Sequence, residues 1–251
     1  MITLSESVRY VGETVVAVHF STDPDAHADR IPDPLEPIRE GEAMALFGQS
    51  VVNDPSIIEE HGYLPPRLSN LHESSIILPC ELDGDEGYLF THHHADRDWS
   101  VRKFSAMGYD SQLADIRLTR HPPELAEFVE REPGKVVEAK TSTDGHTHMH
   151  ATVDLESTDV EHPWPSHYGT FGRRRVEDRT IGADHSLLVN DITTETHSSS
   201  GRPEMWGGAA DLTLHEREFG DLQPHEVHEG FVFDISMEFQ GMTVLWEGEL
   251  D

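Results

Sequence analysis

Apolar and polar residues alternate from Val8 to His19, a valine-rich stretch with the two-residue period of a strand. Thr22 or Asp23 then offers a helix cap with Pro24 at the first helical position, and Pro32-Asp33-Pro34 stops that helix. Glu42 to Val52 predicts a second strand, and Asp54 to Gly62 a helical turn. Apolar runs from Leu68 to Pro79 and from Tyr88 to His94 flank Asp83-Gly84-Asp85-Glu86-Gly87, a hairpin signal. Leu113 to Arg120 predicts another strand. Pro123 to Arg131 predicts a short surface helix, because Leu125, Phe128 and Val129 fall at helical spacing. Lys135 to Lys140 and His146 to Leu155 flank Thr143-Asp144-Gly145, the clearest hairpin turn in the chain. Glu161 to Gly182 carries Pro163-Trp164-Pro165 and scattered glycines, which predicts an ordered loop. Ser186 to Thr196, Gly208 to Glu216, Gly230 to Phe239 and Met242 to Leu250 predict the closing strands. The sum is one domain over residues 1–251, of α+β class and mainly antiparallel β, with a few short helices.

Charge adds a habitat to this picture. Lysine and arginine number 18 against 48 acids, a formal net charge of -30, and only Lys103, Lys135 and Lys140 are lysines. Such a surface repels itself in dilute buffer and is screened at molar salt, where the Debye length falls to about 3 Å. It predicts the cytoplasmic protein of a salt-accumulating organism. The acids are spread among 36% apolar residues, which fits a folded domain and not an acidic tail. Nucleic acid is disfavoured as a partner, since Arg173-Arg174-Arg175 is the one basic cluster. No apolar run approaches the roughly 18 residues of a membrane span, and no basic, then apolar, leader opens the chain. A lone Cys80 excludes an internal disulfide and reads as a buried small hydrophobe.

Three blocks in order carry a family resemblance. The first is Ser21-Thr22-Asp23-Pro24 through Pro32-Asp33-Pro34-Leu35-Glu36. The second runs from Leu71-His72-Glu73-Ser74 through Gly87-Tyr88-Leu89-Phe90 and a strand at Arg102-Lys103-Phe104-Ser105-Ala106 to Gly108-Tyr109-Asp110-Ser111-Gln112-Leu113-Ala114-Asp115-Ile116. The third begins at Trp206-Gly207-Gly208-Ala209-Ala210 and runs to the end. Together they resemble the acetoacetate decarboxylase superfamily, with the part between Arg120 and Gly182 matching poorly. The resemblance implies a cone-shaped β-barrel around an apolar pocket, usually in a homo-oligomer, and no cofactor. It implies chemistry in which a lysine amine condenses with the ketone of a β-keto acid. The amine works because its surroundings depress its pKa, and acetoacetate decarboxylase is itself the standard example of that effect.

At the positions where the family's paired lysines would stand, this chain has Ser111 and Gln112, neither of which forms an iminium. Ser21 stands opposite the family's substrate-binding arginine. Glu73 matches a pocket glutamate, either a proton carrier with a raised pKa or a hydrogen-bonded structural acid. Arg102 matches an arginine able to neutralise a substrate carboxylate, or else an ion-pair partner for an acid such as Asp115. Lys103 adjoins Arg102, and on a strand the two would face opposite ways, which argues against Lys103 replacing the missing amine. The expected ligand is a small keto acid or related carboxylate or carbonyl compound, and the expected enzyme a lyase without an iminium. Glu73 would serve as acid or base, with Arg102, Ser111 and Gln112 completing the site. The alternatives are a non-catalytic ligand-binding or scaffold protein and a metal enzyme built on His146, His148 and His150, three imidazoles on one strand face. That face is equally a solvated one beside the Thr143-Asp144-Gly145 turn. A serine hydrolase is disfavoured, because no Gly-x-Ser-x-Gly elbow occurs.

Overall fold

The structure is a computed structural model and describes residues 8–53, 55–63, 65–120, 131–164, 169–176, 186–197 and 205–249. Strand β1 (Val8–Ser21) pairs antiparallel with β3 (Glu42–Asn53), and β3 pairs with β4 (Asn70–Leu82). A two-residue turn at Asp83 and Gly84, both at positive φ, joins β4 to β5 (Asp85–Ala95). β5 lies parallel to β10 (Gly169–Val176), which pairs with β11 (Ser186–His197). β11 pairs with β14 (Glu226–Glu249), and β14 returns to β1. The pairings therefore close a circuit of seven strands, to which β2 (Glu36–Pro37), β6 (Ser111–Leu113) and β12 (Met205–Gly208) add short arms. A second sheet of four strands contains β7 (Asp115–Leu118), β8 (Val136–Thr143), β9 (His146–Asp154) and β13 (Ala210–Leu214).

Alternation on β1 and β3 explains how the layers pack. Val16, Val18, Phe20, Ala45 and Phe47 point one way and meet Val137, Ala139, Met149, Ala151 and Val153 of the second sheet. Val15, Ala17 and Met44 point the other way, into a cluster with Ile77, Trp164 and Phe231. Each fully buried aliphatic or aromatic side chain stabilises the fold by about 1.5–3 kcal/mol. Cys80 is wholly buried in the first of these layers.

Among the described residues, five short helices interrupt the strands. α1 (Pro24–Ala28) is capped by Asp23, whose side chain accepts from the Asp25 and Ala26 amides. α2 (Pro55–His61) and α3 (Pro66–Ser69) precede β4, and α5 (Glu216–Phe219) precedes β14. α4 (Asp98–Ala106) corrects the strand expected at Arg102 to Ala106. Ser100 and Phe104, four apart, are buried, which is the stripe of a one-sided helix. Its C-terminal turn docks tightly on β10: Gly172 lies where a Cβ would overlap the Met107 carbonyl, and Gly108, at φ 94°, has no room for one against Gly172 and Arg173.

Two other expectations change. Residues 169–176, expected within an ordered loop, form β10. The two final strands are one, because β14 passes through Gln240 and Gly241 without a turn, its first half beside β1 and its second beside β11. The helix expected from Pro123 to Arg131 lies outside the described residues, apart from Arg131 itself. No helix among the described residues is long and apolar enough to cross a membrane.

Candidate active site

Gly48 sits at the centre of the candidate site. On one side it pairs with Val15 of β1, on the other with Glu73 of β4, while Glu13 pairs with Ser50 two residues along β3. Glu13, Gly48, Ser50 and Glu73 thus lie on one face of three neighbouring strands. A Cβ built on Gly48 would come within 2.5 Å of Glu13 Oε1 and 3.1 Å of Glu73 Cγ, so glycine is what lets both carboxyls occupy this space. A register shift between Tyr10 and Glu13, in the pairing of β1 with both neighbours, sets Glu13 into this face.

Electrostatics make the two carboxyls unlike. Glu13, 3% exposed, is raised well above the ordinary carboxyl value by burial and by the neighbouring Glu73. Glu73 is raised by burial to about 7, held back by the Lys103 ammonium and by a hydrogen bond from Glu13. The shared proton therefore resides on Glu13 and is donated to Glu73, as in any close pair of carboxyls that cannot both ionise. Ser50 Oγ, beside both, lowers them slightly but falls short of a full hydrogen bond, and Glu13 Oε2 is buried without a partner.

Glu73 extends the site towards β5 and β6. His93 Nε2 lies 3.1 Å from Glu73 Oε2, and His93 Nδ1 lies 3.0 Å from Ser111 Oγ. His93 is 1% exposed, and burial pushes its pKa down to about 3. Phe104 and Tyr109 hold its ring, with centroids 4.3 and 5.4 Å away. Tyr109 also stacks on Phe90 at 4.9 Å, and burial raises its hydroxyl above the ordinary tyrosine value.

Glu73, Ser111 and Lys103 thus come together. Lys103 reaches the carboxyls from α4, and its ammonium lies 5.9 Å from the Phe104 ring centroid. Arg102 and Gln112 do not join them. Both are exposed and line a neighbouring cleft of about 980 Å³, together with Arg30 and Arg173. On a helix, adjacent residues diverge by about 100°, which is why Lys103 and Arg102 separate. Asp115 pairs with Arg117 at 2.7 Å, and Arg102 has no acid partner among the described residues. Ser21 ends β1 eight residues beyond Glu13, roughly 26 Å along the strand at the usual rise.

The histidines divide differently from the expectation. A bulge at His148 interrupts the alternation that would align His146, His148 and His150, and His150 bonds to Glu138 at 3.0 Å. Among the described residues no three His, Cys, Asp or Glu are placed to hold a metal ion.

His93 and Glu13 are the site residues that sequence reasoning missed. In His92-His93-His94, alternation assigns His92 and His94 to one face. The structure has a bulge on β5, with His92 at φ 47°, that leaves His93 and His94 both buried on opposite faces, His93 towards Glu73 and His94 towards Glu218 and His148. Glu13 carried one signal, an acid inside an otherwise valine-rich strand.

With this geometry in hand, comparison with known proteins gives a consistent answer. The family model for acetoacetate decarboxylase (ADC) matches residues 3–247. No curated protein sequence matches the chain. Among solved structures, an acetoacetate decarboxylase-like enzyme from Sphingomonas wittichii RW1 superposes with TM-score 0.81 at 19% identity, covering 97% of this chain and 94% of its own. The enduracididine biosynthesis enzyme MppR, complexed with pyruvate, superposes with TM-score 0.80 at 22% identity, covering 98% and 92%. Acetoacetate decarboxylase from Legionella pneumophila superposes with TM-score 0.70 at 13% identity, covering 98% and 93%. These similarities concern the fold.

Proposed function

The chain belongs to the acetoacetate decarboxylase family, and from that premise we propose that it binds a small keto acid or related carbonyl compound and moves protons on it without an iminium. One observation carries this reading: Glu73, a carboxyl only 13% exposed with a pKa of about 7, is hydrogen-bonded to a protonated acid on one side and to His93 on the other. A general acid or base is most effective when its pKa lies near the working pH, and contributes about 10²- to 10⁴-fold. The pyruvate bound to MppR supports a carbonyl ligand for this fold.

In the proposed reaction the Glu73 carboxylate takes a proton from the carbon next to a ligand carbonyl. Ser111 supplies a hydrogen bond to the oxygen on which negative charge develops, while the proton on Glu13 stays in its bond to Glu73. Passing that proton to a departing β-hydroxyl group gives dehydration; in a retro-aldol cleavage the carboxylate instead takes the β-hydroxyl proton, the carbon–carbon bond breaks and the proton goes to the α-carbon, and either reaction makes the enzyme a lyase. Ser111 occupies the place where the family's amine would stand, so the carbonyl is held by hydrogen bonds. That same replacement supports the rival reading, a ligand-binding scaffold without turnover.

Exchange of pyruvate methyl protons for deuterium, followed by NMR, tests the proposal. We expect exchange well above the uncatalysed rate, and a loss of roughly 100-fold in Glu73→Gln. A ligand that raises the melting temperature without any exchange would favour the scaffold.

A further inference from the structure

We propose that Ser111 is a nucleophile, activated by His93 and Glu73, and that the pocket hydrolyses an ester-like or β-dicarbonyl compound through an acyl group carried on Ser111. This rests on the reading that a small carbonyl compound occupies the pocket, and adds a covalent step to it.

The geometry is a hydrogen-bonded chain of serine, imidazole and carboxyl at 3.0 and 3.1 Å. Both ring nitrogens of His93 are engaged, so its tautomer is set by its neighbours. With Glu73 ionised, Nε2–H is donated to Oε2, and Nδ1 presents the lone pair that takes the serine proton. Burial keeps the imidazole neutral near pH 7, the form that accepts a proton, and Phe104 and Tyr109 fix its plane. Ser111 itself is only half-buried, next to Asp110 and Gln112 of the neighbouring cleft, while its base is withheld from water. The Ser111 to His93 distance is built into the sheet, because the two residues are paired in the parallel β5 and β6 ladder. A strand here does what a sharp elbow does in other folds, which is why no sequence motif marks it.

Glu73 is the control point. It faces Glu13 from β1, His93 from β5 and Lys103 from α4, and senses Tyr109. When Glu73 is protonated it donates to Nε2, the ring proton moves to Nδ1, and Ser111 becomes an acceptor with no base.

The chemistry balances with water as the one co-reactant. Ser111 Oγ bonds to the carbonyl carbon as its proton passes to His93 Nδ1. Collapse of the adduct breaks the bond to an alkoxide oxygen or an enolate carbon, which leaves with that proton. Water then adds to the acyl carbon, giving a proton to Nδ1, and Ser111 departs with it, releasing a carboxylic acid.

Diisopropyl fluorophosphate tests the nucleophile directly, since its phosphorus bonds to an activated serine as fluoride leaves. The full chain should gain one adduct, mapped by peptide mass to Ser111. Its rate should rise about tenfold between about pH 6 and about pH 8, following the ionised fraction of a group with pKa about 7. Ser111→Ala should take no adduct, and Glu73→Gln should react slowly and without that pH dependence. Ser111→Cys restores a nucleophile and should take up iodoacetamide with the wild-type pH profile, Cys80 being buried. No adduct, an adduct elsewhere, or an equal rate in Glu73→Gln would overturn the proposal. Pyruvate proton exchange on the same preparation separates the two readings. Exchange without an adduct removes the nucleophile alone, whereas an adduct without exchange removes the proton-transfer reading and leaves the nucleophile standing.

Discussion

Glu13 donates the proton it holds to Glu73 across Gly48, so two acids from different strands act as one buried group. The pair spans three adjacent strands of a closed ring. This arrangement makes the site sensitive to volume as well as to charge.

Gly48→Ala should show the sensitivity to volume. Its methyl group would sit 2.5 Å from Glu13 Oε1, and overpacking of this kind costs about 1–3 kcal/mol. Urea unfolding should show that loss, and proton exchange should fall because the carboxyls are pushed apart. Unchanged stability would mean that the pair has room the structure does not show.

Stability should fall as pH rises, opposite to the habit of paired surface acids. Below pH 4.5 Glu73 is protonated in both folded and unfolded chains. Between 4.5 and about 7 the unfolded chain loses that proton while the folded one keeps it, so folding is penalised increasingly. The penalty is complete above about 7, on the order of 3 kcal/mol, with Glu13 acting in the same direction. Comparing urea midpoints at about pH 5 and about pH 8 in wild type and Glu73→Gln checks this; the variant should lose less.

Lys103 should stay free of substrate. Its side chain comes off α4 beside the carboxyl pair, and not from the position at which the resemblance would put the family's paired lysines. Borohydride reduction with pyruvate should therefore leave Lys103 unmodified, and acetoacetate should release carbon dioxide only at the uncatalysed rate. Lys103→Met should move the proton-exchange pH profile upward, because Glu73 loses the cation that lowers it. A reduced adduct on Lys103 would restore iminium chemistry to this chain.

Salt should stabilise the molecule. With a formal net charge of -30, the melting temperature should rise from about 0.2 M to about 2 M potassium chloride as repulsion is screened. A flat response would remove the salt-adapted reading of the surface.

The ring was legible in the sequence where local rules decide. Alternation marked β1 and β3 of the ring, and in the second sheet Asp144-Gly145 marked a two-residue hairpin that the structure places at positive φ. Of the candidate site, the family resemblance pointed to Glu73 and Ser111, which the structure brings together through His93. His93 was hidden because a bulge is invisible to a period-two pattern, and the sense of His92-His93-His94 reverses when one residue leaves the ladder. α4 was hidden because tertiary packing of Ser100 and Phe104 outweighed the reading of Arg102 to Ala106 as a strand. β10 was hidden because its glycine-bearing run resembles a loop until Gly172 meets the end of α4.

A sheet that closes on itself has no free edge at which one strand can slide past the next. The backbone positions of Glu13, Gly48, Glu73 and His93 are therefore held by the whole circuit. A family built on such a ring can exchange side chains within it and keep the surrounding backbone, so its reactions can diverge faster than its shape.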